Sequence, residues 1–304
     1  MPAPLRFLGP VLALASLAVA TTGAQAQRLP VGATVASASL TGFAQLDAGI
    51  DGGGDVKGSG AYAIGSVVRQ FTPELSAGLT LRYDYEHWTF SGENAFGGAP
   101  FGSIHRPSVG ASLVYATDAG IAFTALPTVQ WAYASGASTA DALNWGAILA
   151  VSRTFSKDLT LGIGAGVYRE IDKTEAFPVL LVDWRIDERW RVSNPVPAGP
   201  AGGAGLEVAY TIDDRWELAA GGAWRRYRFR LDENGATPDG IAERQSIPLL
   251  ARATWRPTPA SRLDLYAGVA LAGEITLYDR NGQKLVSRDI DPAALFGITL
   301  QSRF

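Results

Sequence analysis

His87 and His105 are the only imidazoles in a chain of 304 residues that contains no cysteine. Paired with Ser91 or Ser103, either histidine could act as the base of a hydrolase or acyltransferase, taking the hydroxyl proton as the oxygen attacks. No Gly-x-Ser-x-Gly turn accompanies them, so the pattern of a strained nucleophile elbow is missing. The reading favoured is structural, with His87 in an interfacial rim and His105 in a loop. Gly162-x-Gly164-x-Gly166 has glycines at dinucleotide-loop spacing, but it lies inside an alternating segment with no helix after it, which points to room or curvature in a strand. Asp51 and Asp55 surround three glycines without the ligand spacing of an EF-hand. Absence of cysteine removes disulfides, thiolate zinc sites and thiol nucleophiles together. The expectation is a protein that is not an enzyme, with no catalytic residue, no cofactor and no metal.

A second set of chemistry-bearing residues is larger and sits at alternate positions. Arg82, Asp84 and Glu86 interleave with Leu81, Tyr83 and Tyr85. On a strand such neighbours point to opposite faces. Leu159 to Val167 and Leu263 to Leu277 alternate in the same way, so each segment has one greasy face and one that is polar or very small. A formal charge of −3 gives no reason to expect a nucleic-acid partner. Glycine (35) and proline (17) are abundant, which argues against a helix-rich enzyme.

The N-terminus is organised differently. Arg6, the apolar run from Val11 to Ala20, and Ala24-Gln25-Ala26 form the three parts of a secretory signal peptide. Residues 1–26 are therefore expected to be removed, leaving 27–304 as one domain. No later run of about 18 apolar residues could cross a membrane as a helix.

Period two also fits a secreted β-sandwich, so the turns and aromatic residues decide. Tight connections recur at Thr72-Pro73-Glu74, Thr117-Asp118-Ala119, Ser156-Lys157-Asp158, Asp187-Glu188, Asp213-Asp214 and Pro257-Thr258-Pro259. Phe71, Tyr115, Phe155, Trp184, Trp190, Tyr210, Trp216 and Trp255 flank them. Trp88, Trp131, Trp145 and Trp224 fall near the opposite strand ends. Two rows of amphipathic rings around a band of aliphatic residues match the two interfaces of a bilayer. Long connections gather at the second end: Ser91 to His105, Ser135 to Ala140, Pro195 to Gly203, Asp232 to Glu243, and Asp279 to Asp291 with its Asn281-Gly282 hairpin signal.

The expected fold is all-β, a transmembrane antiparallel up-and-down β-barrel. Six turns join twelve strands, and strands at Ala38 to Ala48 and Leu295 to Phe304 bring the total to about fourteen. Twelve is the alternative, because only six residues precede Pro195 after Asp187-Glu188. Lipid-facing charge near midplane costs about 2–4 kcal/mol, so Arg82, Asp84, Glu86, Asp183, Arg185, Glu207, Arg252 and Glu274 are expected to line the lumen. Arg82 is expected to pair with Asp84 or Glu86, and Asp183 with Arg185. Parity slips around Trp224 to Arg230, where Gly221-Gly222 is the expected bulge; Arg226, Arg228 and Arg230 should lie inward or above the membrane. The Ser91 to His105 loop is the expected plug.

Phe296, Ile298, Leu300 and the terminal Phe304 share one parity. This pattern resembles the last strand of bacterial outer-membrane barrels, which the barrel-assembly machinery reads; Ser302 departs from it. With the segment from Val182 to Val192, followed by Asn194-Pro195, the chain resembles Gram-negative outer-membrane β-barrel proteins, most like the families of unknown function. That resemblance implies export to the outer membrane and contact with its lipids and its assembly machinery. The leading expectation for function is a passive porin-like channel for small hydrophilic solutes. The alternatives are a closed structural or surface-interaction barrel and, third, an outer-membrane lipid-modifying enzyme.

Overall fold

The computed structural model describes residues 29–194, 199–200 and 204–304, so the expected signal peptide lies outside the described residues. Seventeen β-segments follow one another: β1 (Thr34–Gly49), β2 (Asp55–Gln70), β3 (Leu75–Ser91), β4 (Ser103–Ala116), β5 (Ile121–Trp131), β6 (Tyr133–Ala134), β7 (Leu143–Ser156), β8 (Leu159–Glu170), β9 (Lys173–Arg185), β10 (Trp190–Ser193), β11 (Gly205–Thr211), β12 (Trp216–Ala223), β13 (Arg225–Arg230), β14 (Ile241–Thr258), β15 (Ser261–Tyr278), β16 (Lys284–Ile290) and β17 (Ala293–Arg303). The breaks at Ala132, Trp224 and Asp291-Pro292 divide single staves, so these segments make a fourteen-strand barrel.

Neighbours in sequence pair antiparallel around the wall, and β1 pairs with both β2 and β17. Leu40 thus lies between Ala63 and Leu300. That ladder joins the first stave to the last, the closure that hydrocarbon demands because it cannot hydrogen-bond a free N–H or C=O. The six tight turns all fall at the end that holds both termini. The opposite end carries the longer connections together with one tight turn, Ile171-Asp172, and the β15–β16 hairpin around Gly282.

Alternation assigns the faces. Leu79, Leu81, Leu149, Ile163, Leu265 and Ile298 are exposed on the outer wall, while Thr80, Asp84, Glu86, Arg252 and Asp264 are buried inside. The lumen parity of β8 is glycine at positions 162, 164 and 166 because the space is occupied; a side chain at Gly166 would collide with the Phe177 ring. Lumen side chains pack into separate apolar clusters, one of them at the mouth on the long-loop side.

Two elements depart from a regular cylinder. β10 has four residues and β11 seven, short of the roughly 9–11 needed to span the hydrocarbon. Pro195 and Pro197 explain the stop, since proline offers no N–H to a ladder. Beyond Ala223 the stave turns into the lumen as β13, keeping its pairing with β14 (Arg225↔Ser246 to Arg230↔Ile241). The bend falls at Trp224, and pairing runs straight through Gly221↔Leu250 and Gly222↔Leu249, so the expected bulge is absent there.

An Ile163→Arg substitution would place a guanidinium on a side chain that is 67% exposed in mid-strand. It should lower folding stability by about 2–4 kcal/mol, read as the urea midpoint in lipid vesicles, and an unchanged midpoint would refute the lipid-facing assignment. Unheated wild-type protein should migrate faster than boiled protein on a denaturing gel.

Candidate functional site

The polar parity gathers into three tiers of ion pairs stacked along the lumen. In the middle tier the carboxylate of Glu86 is fully buried. Its Oε1 accepts from Arg106 Nη2 (2.6 Å), Tyr62 Oη (2.8 Å) and Arg225 Nη2 (3.3 Å), and its Oε2 from Trp88 Nε1 (3.0 Å) and Arg244 Nη1 (3.1 Å). Asp84 accepts from Arg82 Nε at 2.7 Å and lies 3.6 Å from Arg106 Nη2. Four guanidinium groups, from β3, β4, β13 and β14, therefore share two carboxylates. Aromatic faces take part of the excess: Arg244 stands 3.5 Å over the Trp88 ring and Arg106 3.9 Å over Tyr227.

The tier nearer the tight turns is balanced. Arg252 joins Glu207 (2.5 Å), Glu217 (2.9 Å) and Asp264 (3.4 Å), while Arg256 holds Glu217 and Arg262 holds Asp264. The tier nearer the long loops sets four carboxylates against three cations, with Lys173 paired to Glu175 and 3.6 Å from Glu243. Arg226 bridges Glu170 (3.4 Å), Glu175 (2.8 Å) and Glu243 (2.5 Å), and Arg228 joins Asp172 (2.7 Å) to Glu243 (2.9 Å). β13 supplies both arginines, and its opposite face reaches Glu86 through Arg225, so this inward strand links two tiers.

Above them the mouth is apolar. Phe229 stacks edge-on against Phe101 at 5.0 Å, and Trp88, Ile104, Leu231, Ile275 and Leu277 surround them. A cavity of about 10 Å³ beside Trp88, Arg244 and Glu274 is room for a single water. Phe101 comes from the Ser91 to His105 loop, the expected plug. The closure also uses β13 and the buried Gly199-Pro200, whose carbonyl accepts from Arg225 Nη1 at 2.5 Å. Nothing in the local sequence of β13 marked it as an inward strand except the parity slip and its run of alternate arginines.

The structure brings Arg82, Asp84 and Glu86 together, and it places Glu207 and Arg252 in one tier. Asp183 is bonded to Arg191 (2.7 Å), which replaces the expected pair with Arg185 as the nearer cation. Glu274 accepts from Gln245, Thr276 and Ser287. Arg225 and Arg244 were missed because their partners lie across the barrel, and Arg106 because its place beside Asp84 is fixed only by the β3–β4 register. The turn-side aromatic residues Phe71, Tyr115, Phe155, Trp184, Trp190, Trp216 and Trp255 are exposed on the outer wall, with Tyr210 half-buried beside Trp190. At the other end Trp145 faces outward, but Trp88 is buried in the lumen and Trp224 stands at the bend. Phe296, Ile298, Leu300 and Phe304 point outward along the closing strand. His105 is half-buried, its Nδ1 2.7 Å from Tyr83 Oη and its Nε2 3.2 Å from Ser135 Oγ; His87 Nδ1 is 3.1 Å from Ser103 Oγ. Among the described residues no group of three or more His, Asp or Glu is placed to hold a metal ion.

The turn between β9 and β10 perturbs a titratable group outside the wall. Backbone N–H groups of Trp190 and Arg189 donate to Asp187 in the β9–β10 turn and hold its carboxyl below the usual carboxylate range.

Fold and lumen define a closed, single-chain β-barrel of the outer-membrane type. The model of a family described as a domain of unknown function (DUF6268) matches residues 118–301, more than half of the sequence, and the chain belongs to that family. Among curated protein sequences, none matches significantly. Solved structures of similar shape include the COG4313 outer membrane channel from Pseudomonas putida F1, with 15% identity, 91% of this chain and 97% of that one covered, and a TM-score of 0.49. The P. putida toluene transporter TodX has 10% identity, 90% and 91% coverage and a TM-score of 0.44. A Pseudomonas aeruginosa FadL homologue has 12% identity, 88% and 90% coverage and a TM-score of 0.45.

Glu86→Gln should cost about 3–5 kcal/mol by leaving buried guanidinium groups uncompensated, measured as the shift in the heat-modifiable transition. A loss below about 1 kcal/mol, the scale of an exposed pair, would show that water screens this tier.

Proposed function

We propose that the protein is a passive outer-membrane channel for small hydrophilic solutes, seen here with its mouth closed. The observation that carries this reading is the confinement of charge: guanidinium and carboxylate groups line the lumen in three tiers while the outer wall is aliphatic between aromatic rows. A barrel of fourteen strands is wider than the eight-strand kind that side chains fill. Here the space is taken by a strand and two loop segments, all of which enter from the long-loop side. An apolar constriction such as Phe101 against Phe229 stops ions by excluding water, and withdrawing it exposes a charged path beneath. Passage requires no covalent step from the lumen residues. Export, cleavage after Ala26, contact with outer-membrane lipids, and reading of Phe296 to Phe304 by the barrel-assembly machinery belong to the same proposal.

A second reading is supported by the small cavity: a barrel this full serves as a structural or surface-interaction protein. Purified protein in planar bilayers separates the two. The channel reading expects stepwise conductance, a higher open probability after Phe101→Ala with Phe229→Ala, and a changed unit conductance after Arg82→Ala. Folded protein and folded mouth variant that both stay silent would favour the closed barrel.

A further inference from the structure

The middle tier carries an imbalance that its own residues do not resolve. Arg82, Arg106, Arg225 and Arg244 face Asp84 and Glu86. Two further carboxylates, Glu274 and Asp291, line the same small cavity as Arg244 without forming an ion pair with it, and Glu274 is bonded to neutral groups. The neighbouring tiers do not supply the missing charge, because their carboxylates are engaged by their own arginines. Burying an ion away from water costs several kcal/mol unless it is paired, and arginine cannot escape by losing its proton.

Orphaned donors fall in the same place. Nε and Nη1 of Arg106 and Nη1 of Arg82 are buried and have no hydrogen-bond partner among the described residues. Arg106 is 1% exposed, so bulk water does not satisfy these donors. Both arginines converge on Asp84, which receives Arg82 Nε at 2.7 Å and lies 3.6 Å from Arg106 Nη2, so the two groups that carry unused nitrogens are neighbours in the tier. Tyr227 covers one face of the Arg106 guanidinium at 3.9 Å, so a further partner must approach in the plane of the group. Guanidinium N–H donors of this kind bond most strongly to the charged oxygens of carboxylate and phosphate.

We infer that the Arg82–Arg106 edge of the middle tier is a binding site for a small oxyanion, a carboxylate or phosphate, and that it makes the lumen anion-selective. The selectivity rests on the channel reading; the binding does not. An anion here neutralises the guanidinium excess, and in an open lumen the same excess raises the local concentration of anions over cations.

Binding is tested without conduction, by following the heat-modifiable transition of detergent-solubilised protein in sodium succinate or sodium phosphate against sodium chloride of equal ionic strength. A saturable rise is expected with at least one oxyanion, and whichever gives the larger rise identifies the source. Arg82→Gln and Arg106→Lys should each weaken the apparent affinity about tenfold, equivalent to roughly 1.4 kcal/mol, while Arg262→Gln in the balanced tier should not. Arg82→Gln keeps the question open should Arg106→Lys fail to fold. Chloride that stabilises equally, or a response untouched by Arg82→Gln, would overturn the site. Selectivity is read separately from the reversal potential in a potassium chloride gradient. A conducting, cation-selective barrel that lacks the oxyanion response refutes the site and spares the channel. A silent barrel that keeps the response refutes the channel and spares the site.

Discussion

Hydrocarbon accepts neither an unpaired peptide group nor a charged side chain, and every feature of this barrel follows from that refusal. The first half closes the sheet through β1 and β17; the second sends each ionisable residue of the spanning strands to one side. Charge is therefore concentrated in a lumen lined by all fourteen staves. There the arginines and carboxylates must satisfy one another between neighbouring staves and across the barrel, which is why Glu86 on β3 meets Arg106 on the adjacent β4 as well as Arg225 on β13 and Arg244 on β14. The ion-pair tiers are a consequence of lipid on the outside as much as a device for what passes inside.

β13 changes the character of that lumen. A stave that stayed in the wall would put every second residue of Arg225-Arg226-Tyr227-Arg228-Phe229-Arg230 against lipid, which the arginines forbid in either register. Turned inward, both faces meet protein: Arg226 and Arg228 reach the acidic tips of β8 and β9, whereas Arg225, Tyr227 and Phe229 face β2, β3 and the Phe101 loop. The strand keeps its ladder with β14, so its peptide groups are paired on one edge. Detaching it would break buried ion pairs, and stability and closure of the mouth are consequently two aspects of the same contacts.

Much of this was legible because period two writes the faces directly into the sequence. The six tight turns, the fourteen staves and the lumen position of Arg82, Asp84 and Glu86 all follow from local alternation and turn residues. The short β10 was signalled by Pro195. What was not legible is long-range. Trp88 reads as a second-row interfacial aromatic by its place near a strand end, yet it shares parity with Asp84 and Glu86, and its ring is held under Arg244 from 156 residues further along the chain. Trp224 marks the bend, and the glycines before it suggested a bulge that the continuous β12–β14 ladder does not contain. Asp183 is bonded to Arg191, its diagonal neighbour across the β9–β10 pairing, rather than to Arg185 two positions along its own strand.

Charge is also distributed unevenly with depth. A balanced tier lies toward the tight turns, an arginine-rich one at the centre and a carboxylate-rich one below the mouth, although the chain as a whole is only weakly acidic. Composition averages over this arrangement and conceals it. An anion entering from the long-loop side would first meet an unfavourable ring and then a favourable one, a sequence that slows entry while holding what has passed. With low-dielectric walls the field of each tier extends further than it would in open water, so the order of the tiers, rather than their sum, governs what the lumen can hold.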